Sequence, residues 1–350
     1  AMLVATDATH NTAVGMDSLK ALEDANENTA IGYLASNATT TGAGNTIVGS
    51  YAFDVNTTGA YNVAVGHNAL GANTTASNNT AVGNSALLSN TTATSNVAVG
   101  ANALDATTTG GYNTALGHNA LGANTTAANN VGLGYNALSA TTTGISNVGV
   151  GYRALGSNTT GANGIAIGID ALFANTTGNR NIAIGAYALD ANTTAVNNIA
   201  IGKNALGANV TGGDNLAIGY QSLLLNTGSN NLGVGAYTGD ALTSGENNIA
   251  IGSYALSAGT TAAGNIMVGG WAGDAITTGA NNVGVGLGAL GAVTTASQNT
   301  AVGGSAGDAI TSADYNTALG YAALSASITG AQNTAVGTYA LQAALEDNNT

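Results

Sequence analysis

Asn11-Thr12-Ala13-Val14-Gly15 states a phrase, Asn-x-Ala-aliphatic-Gly, that runs through the chain and closes as Asn333-Thr334-Ala335-Val336-Gly337. It occurs twenty times at a step of 17 residues, with one interval of 16 between Asn215 and Asn231. A fixed period of this length marks a solenoid: each repeat is one supersecondary unit, and only stacking on neighbours closes its core. The phrase predicts an all-β fold, a parallel β-solenoid (β-roll or β-helix) of twenty 17-residue coils in a single elongated domain. Residues 1–10 read as an N-terminal partial coil or cap, 11–337 as the repeat solenoid, and 338–350 as a C-terminal partial coil or cap.

With the Asn of the phrase as coil position 1, position 4 is Val, Ile or Leu in every coil, and position 2 is Thr, Val, Ile or Leu. Position 3 is Ala or Gly except at Ile47 and Met267. Alternation with β-branched residues on one face predicts a strand, with positions 2 and 4 in the core and position 3 outward. Position 5 is always Gly, which suits a corner needing positive φ or close backbone approach. Positions 8 and 9 are usually Ala-Leu, as in Ala86-Leu87 and Ala205-Leu206, a second inward contact. A short strand or a single helical turn fits positions 6 to 11, and the strand is the favoured reading. Asn-Thr-Thr-Gly at positions 12 to 15, as in Asn56-Thr57-Thr58-Gly59, is turn chemistry. The missing residue of the short coil falls there, at Asn226-Thr227-Gly228, so this corner tolerates a deletion.

Three copies test the core assignment. Gly239, Gly273 and Gly307 replace the position-9 Leu, and the same coils place Leu242, Ile276 and Ile310 at the usually polar position 12. Volume lost at one site returns at the other, as cores require when an unfilled Leu site costs ~2–5 kcal/mol. The position-1 Asn, replaced only by Gly164, predicts a ladder of side-chain amides along the stack.

Composition narrows function. The formal charge is −13, and the only fixed cations are Lys20, Arg153, Arg180 and Lys203, so there is no basic stripe for nucleic acid or anionic membranes. No apolar run has the length of a membrane span. Charged residues make up only 6% and aliphatics abound, unlike disordered chains. Without Pro, collagen is excluded. The absence of Cys fits export or a virion. No signal peptide is read at Ala1, which fits a processed product or an excised segment.

Tyr61-Asn62-Val63-Ala64-Val65-Gly66 and Asn197-Asn198-Ile199-Ala200-Ile201-Gly202 resemble the head repeats of trimeric autotransporter adhesins. The fuller unit, Asn-Thr-Ala-Val-Gly-x-x-Ala-Leu-x-x-Asn-Thr-Thr-Gly, resembles repeats of phage and bacterial tail-fibre-like proteins. The resemblance covers essentially the whole chain. It implies a left-handed parallel β-roll, three chains side by side, and attachment to host surfaces. The adhesin coil is shorter than 17 residues, and no coiled-coil stalk or membrane anchor is seen here. The expected role is a non-enzymatic structural or adhesive fibre subunit, extracellular, on a cell surface or in a virion fibre. Its partner would be itself, as a homotrimer or head-to-tail filament, together with surface glycans or a host surface. A smooth Ala/Gly face at position 3 would serve lateral packing.

Coils 1 and 20 break the Thr-Thr corner alike, with Leu22-Glu23-Asp24 and Leu345-Glu346-Asp347, as charged caps would. Ala1-Met2 fits coil positions 8 and 9, and Thr350 reaches position 1, a register that head-to-tail stacking could use.

No catalytic, cofactor or metal residues are assigned. His67 and His118 sit at position 6 of coils three apart, about 14 Å, too far to share a metal. Position-10 Asp residues (Asp54, Asp105, Asp190, Asp240, Asp274, Asp308) avoid adjacent coils and read as solvated carboxylates. No paired acid/base, nucleophile triad or phosphate loop is present. Tyr220, Tyr237, Tyr254 and Trp271 fall in successive coils beside the Gly corner, a candidate stripe for a glycan or partner. Two Thr rows at positions 13 and 14 support an alternative, an ice-binding solenoid, although Val210, Ile328 and the deletion after Thr227 interrupt them. Asn56, Asn73, Asn124 and Asn192 lie in Asn-x-Thr sequons, where turn chemistry is the simpler reading.

Overall fold

A computed structural model of the chain describes residues 7–326, 329–342 and 347. Two compact units are present, Ala1–Thr177 and Gly178–Thr350, and both are parallel β-solenoids. The first holds ten three-residue strands, from β1 (Thr12–Val14) to β10 (Ile165–Ile167), and the second holds ten more, from β11 (Ile182–Ile184) to β20 (Thr334–Val336). No helix occurs among the described residues. Each strand occupies coil positions 2 to 4, and within each unit it pairs in register with the next, as Val63↔Thr80 and Val65↔Val82, or Ile199↔Leu216 and Ile201↔Ile218. The 16-residue step keeps this register, with Leu216 opposite Leu232. Its Thr227 and Gly228 N–H groups both donate to the Thr243 carbonyl, so the turn absorbs the deletion. The charged cap at Leu345-Glu346, Ile328 in the Thr rows, and the register at Ala1-Met2 and Thr350 lie outside the described residues.

The strand faces are the reverse of the sequence expectation. Position 3 points inward: Ala64, Ala98, Ala115 and Ala200 are fully buried, as are Ile47 and Met267. Positions 2 and 4 point out, with Ile31, Val97 and Leu116 all exposed. The cause is the narrow interior. A Cβ on Gly132 would stand 3.2 Å from Leu121 Cγ, and one on Gly149 3.1 Å from Leu138 Cγ. Position 3 therefore abuts the position-9 Leu of the preceding coil, and a large residue fits only where a position 9 beside it is small, as Ile47 with Ser36 and Met267 with Gly273. The smooth Ala/Gly face is the wall of the core and is closed to lateral packing.

The expected strand at positions 6 to 11 is absent as well. Here the chain makes overlapping turns, with N–H to C=O bonds from position 8 to 5 (Ala120 to Gly117, 3.3 Å) and from 12 to 9 (Asn124 to Leu121, 3.1 Å). Positions 7 and 9 are left-handed, for example Asn119 at φ 55 and Leu121 at φ 52. A strand would turn alternate side chains away from the core, whereas these turns place both Ala120 and Leu121 inside. The left-handed conformation costs an L-residue ~1–2 kcal/mol, and burying a Leu side chain returns ~1.5–3 kcal/mol. Burial offsets the strain, so an apolar residue persists where Gly would be expected. At position 5 no such exchange is open: Gly66 has φ 137, and the carbonyl of Gly83 occupies the place of its Cβ.

Two rows of buried Asn complete the interior. The Asn79 N–H donates to Asn62 Oδ1 at 2.9 Å, Asn96 to Asn79 at 3.0 Å, and Asn113 to Asn96 at 2.8 Å. In the second unit Asn265 donates to Asn248 at 3.0 Å and Asn282 to Asn265 at 2.9 Å. The Nδ2 crosses to the position-15 carbonyl of its own coil, as Asn79 to Ala93 and Asn265 to Gly279, both at 2.9 Å. At position 12 the amides bond each other directly, Asn73 Nδ2 to Asn56 Oδ1 at 2.9 Å and Asn90 Nδ2 to Asn73 Oδ1 at 3.0 Å. Where position 12 turns apolar, Leu242, Ile276 and Ile310 are buried, and Ile276 Cδ1 lies 2.8 Å from the place of a Cβ on Gly273, as the volume exchange required.

This inside-out arrangement is testable by paired substitutions. Ala115→Val should overpack the wall and destabilise by ~1–3 kcal/mol, whereas Val99→Thr, on the outer face, should stay within ~0.5 kcal/mol of the parent in urea unfolding. The opposite ranking would restore the sequence-based orientation.

Candidate functional site

The outer sheet face presents the same two coil positions on every strand of each unit. Its position-4 row runs Val65, Val82, Val99 and Leu116 in the first unit and Ile184, Ile201 and Ile218 in the second. Ile184, Ile201 and Ile218 each retain 36% of their surface. Position 2 adds Thr at the early and late coils and only Val, Ile or Leu from Val131 to Val283. No charged residue stands at positions 1 to 5 of any coil. Apolar side chains rejected by a narrow interior thus form a flat, two-row apolar face. Sequence reasoning missed it by equating aliphatic with buried, yet a signal was present. Ile47, a large residue at position 3, follows Ser36, a small one at position 9 of the preceding coil. Both are buried in one core.

The aromatic stripe forms as a physical row. Tyr220 and Tyr237 meet edge to face at 5.2 Å, Tyr237 and Tyr254 stack at 5.0 Å, and Tyr254 and Trp271 stack at 5.9 Å with planes 2° apart. Stacking along the coil axis covers the inner ring faces, so the open face is that of Trp271, where position 7 of the next coil is Gly288. His118, Tyr135 and Tyr152 make a second stack at 5.3 and 5.5 Å. There His118 acts as one more flat ring. His67 packs against Tyr51 at 6.0 Å. Among the described residues no cluster of His, Cys, Asp or Glu could hold a metal ion.

The position-10 carboxylates are half-buried and not fully solvated as the sequence suggested. Around Asp54 the surface forms a shallow concavity of about 450 Å³ lined by Asn68, Gly71 and Leu88. Burial raises the carboxyls of Asp54, Asp105, Asp240, Asp274 and Asp308 above the ordinary range. Backbone N–H groups at Asp54, Asp105, Asp240 and Asp274 and at the residues after them pull the other way and lose. At Asp308 the opposing bonds come from Ser305 and its own backbone.

The two Thr rows differ. At position 13 the hydroxyls donate to the next coil's carbonyl, as Thr57 to Thr74 and Thr74 to Thr91 at 3.1 Å. At position 14 Thr58, Thr75 and Thr92 are exposed. The sequon residues Asn56, Asn73, Asn124 and Asn192 are fully buried, which leaves no room for a glycan in the folded coil.

No protein-family model matches the chain, and no curated protein matches it. No described helix is long and apolar enough to cross a membrane.

The raised carboxyls fix a pH dependence. A folded-state value above the unfolded one means that the contribution to stability is full below the ordinary carboxylate range and is lost as pH rises through the raised value. The thermal midpoint is therefore expected to be higher at about pH 4 than at about pH 7, and Asp105→Asn with Asp240→Asn should flatten that rise. Relief of the −13 charge acts in the same direction, so the variants isolate the local effect.

Proposed function

We propose that the chain is a non-enzymatic fibre subunit whose solenoids pack laterally on one another through the outer sheet face. The supporting observation is the uncharged double row at positions 2 and 4, aliphatic at every position 4 and, from Val131 to Val283, at every position 2 as well. Ten strands spaced ~4.8 Å apart and three residues wide give each unit a face on the order of 500 Å². That is the upper range of the largest apolar patch on ordinary monomers and a large part of one side of a stable interface. The occupant is a second copy of this chain. Rows repeating at each rung are matched rung for rung by a surface with the same repeat, as in dry interfaces between stacked strands. Charge supports the same choice. In a chain of net −13, the carboxylates stand at the corners, so the sheet face is where two copies approach without facing like charges.

The resemblance to adhesin heads and tail-fibre repeats favours three copies and a place on a cell surface or virion, with attachment to glycans or a host surface as the task. This lateral packing uses the face opposite to the Ala/Gly wall inferred from sequence. The ice-binding alternative is less supported, because the position-13 hydroxyls already serve backbone carbonyls and one exposed Thr row remains.

Ile201→Lys with Ile218→Lys should leave circular dichroism unchanged and shift sedimentation from an assembly to a monomer. An assembly indifferent to both charges, or a monomeric parent at tens of micromolar, roughly the range where an interface of this size holds, would refute lateral packing. Thermal hysteresis in the parent would support the ice-binding reading instead.

A further inference from the structure

The corner of the seventeenth coil is stripped to Leu287-Gly288-Ala289-Leu290-Gly291, with glycine at positions 7 and 10 together. The coils on either side carry Trp271 with Asp274, and Ser305 with Asp308, at those positions. The result is a notch one rung high. A Cβ on Gly288 would find only Ser305 Oγ within 4 Å, at 3.9 Å. Trp271 is 51% exposed, and its stack continues on the Tyr254 side. Asp274 Oδ1 and the Gly288 carbonyl both lie within 3.5 Å of the place of a Cβ on Gly291. Asp308 stands at position 10 of the following coil, with its Oδ1 buried and without a hydrogen-bond partner. No Lys or Arg follows Lys203 in the sequence, so the chain supplies no fixed cation to these coils.

The same coil position elsewhere carries a cation, although its ring and carboxylate stand at other positions: Phe173 at 10, Tyr152 at 6 and Asp170 at 7. Arg153 occupies position 7 of the ninth coil, with its guanidinium carbon 4.3 Å from the centre of the Phe173 ring and 5.2 Å from that of Tyr152. Its Nε and a terminal nitrogen donate to the two Asp170 oxygens at 2.7 and 2.9 Å. Guanidinium, ring and carboxylate are thus combined within the chain, with position 7 as the origin of the cation.

We propose that the Gly288 notch is a binding site for an organic cation, a guanidinium or a quaternary ammonium, seated on the open face of Trp271 between the carboxylates of Asp274 and Asp308. Trp is the best of the aromatic faces for a cation. The two carboxylates stand two rungs apart, so a charge in the intervening rung is roughly 5 Å from each level. Burial holds both carboxyls above their ordinary range, and a cation in the notch would offset that penalty. The notch lies at positions 7 and 10, away from the outer sheet face, so it stands or falls independently of lateral packing.

Trp271 is the only tryptophan, so its fluorescence reports this site alone. N-acetyl-arginine methylamide and tetramethylammonium are expected to change the emission saturably, while methyl α-glucopyranoside leaves it unchanged. Asp274→Asn with Asp308→Asn should weaken the response about tenfold. Gly288→Arg should abolish it, because the new side chain fills the notch from within. The backbone admits this change: Arg153 holds φ 52 at the equivalent place, against 63 for Gly288. Should Gly288→Arg fail to fold, the Asn pair still decides, with circular dichroism confirming its fold. No saturable response to either cation, an equal response to the glucoside, or a response untouched by the Asn pair would overturn the assignment.

Discussion

The structure depends on how little room a 17-residue coil encloses. A strand wall on one side and a run of turns on the other leave space for one Leu per coil, a methyl group or less opposite it, and two amides at the flanks. The amides are indispensable because the backbone turns sharply where strand pairing ends. A buried N–H or C=O without a partner costs ~1–3 kcal/mol, and an Asn placed at every rung supplies both a donor and an acceptor there. Asn147 Oδ1 accepts from the Gly164 N–H at 2.8 Å, so the single coil without the amide is still served by the coil before it. Identical rungs make each amide the neighbour of another, and polarisation along such a chain strengthens its members.

That constraint also explains the surface. With the interior full, the β-branched residues that stabilise a parallel strand have only the outer face to occupy. There they still pack on one another from rung to rung, since neighbouring strands are close enough for same-face contact. The aliphatic rows therefore serve the single solenoid through ladder packing and leave a half-exposed apolar plane as a consequence. Evolution could remove that plane by using Thr throughout, as at Thr80 or Thr114, whose strands pair just as well. From Val131 to Val283 the chain does the reverse and keeps position 2 aliphatic beyond what the ladder requires.

Periodicity made the architecture legible before any coordinates. The strand at positions 2 to 4, the obligatory corner glycine, the Asn row and the interchange of positions 9 and 12 were all readable. The direction of the strand was not, because an aliphatic–small–aliphatic triplet looks the same whichever face is buried. Hydrophobic residues inside is a one-way rule, and in these strands the larger apolar residues are, with few exceptions, the outward ones. The pairing of Ile47 with Ser36 carried the answer, since a large residue at position 3 matters to position 9 of the preceding coil only if both face one cavity. The left-handed Leu residues could not be foreseen from propensity: their strain is local, and the burial that offsets it comes from the neighbouring coils.

The division between core and corner positions decides where specificity can arise in such a molecule. Positions 3, 5 and 9 are held by packing, and a change at 3 or 9 is matched by another in the same or the adjoining coil. Positions 6, 7 and 10 point off the corner and vary freely among Tyr, His, Asn, Asp, Arg, Ser and Gly. Because position 7 is left-handed in every coil type, side chains there leave the corner in the same direction, and their identity alone determines whether a rung offers a ring, a charge or a gap. Rings in successive coils cover each other and lose their faces. A ring followed by glycine keeps one. A run of like coils would thereby acquire a distinct site by subtraction, with no change in fold and no cost to the ladder beneath it.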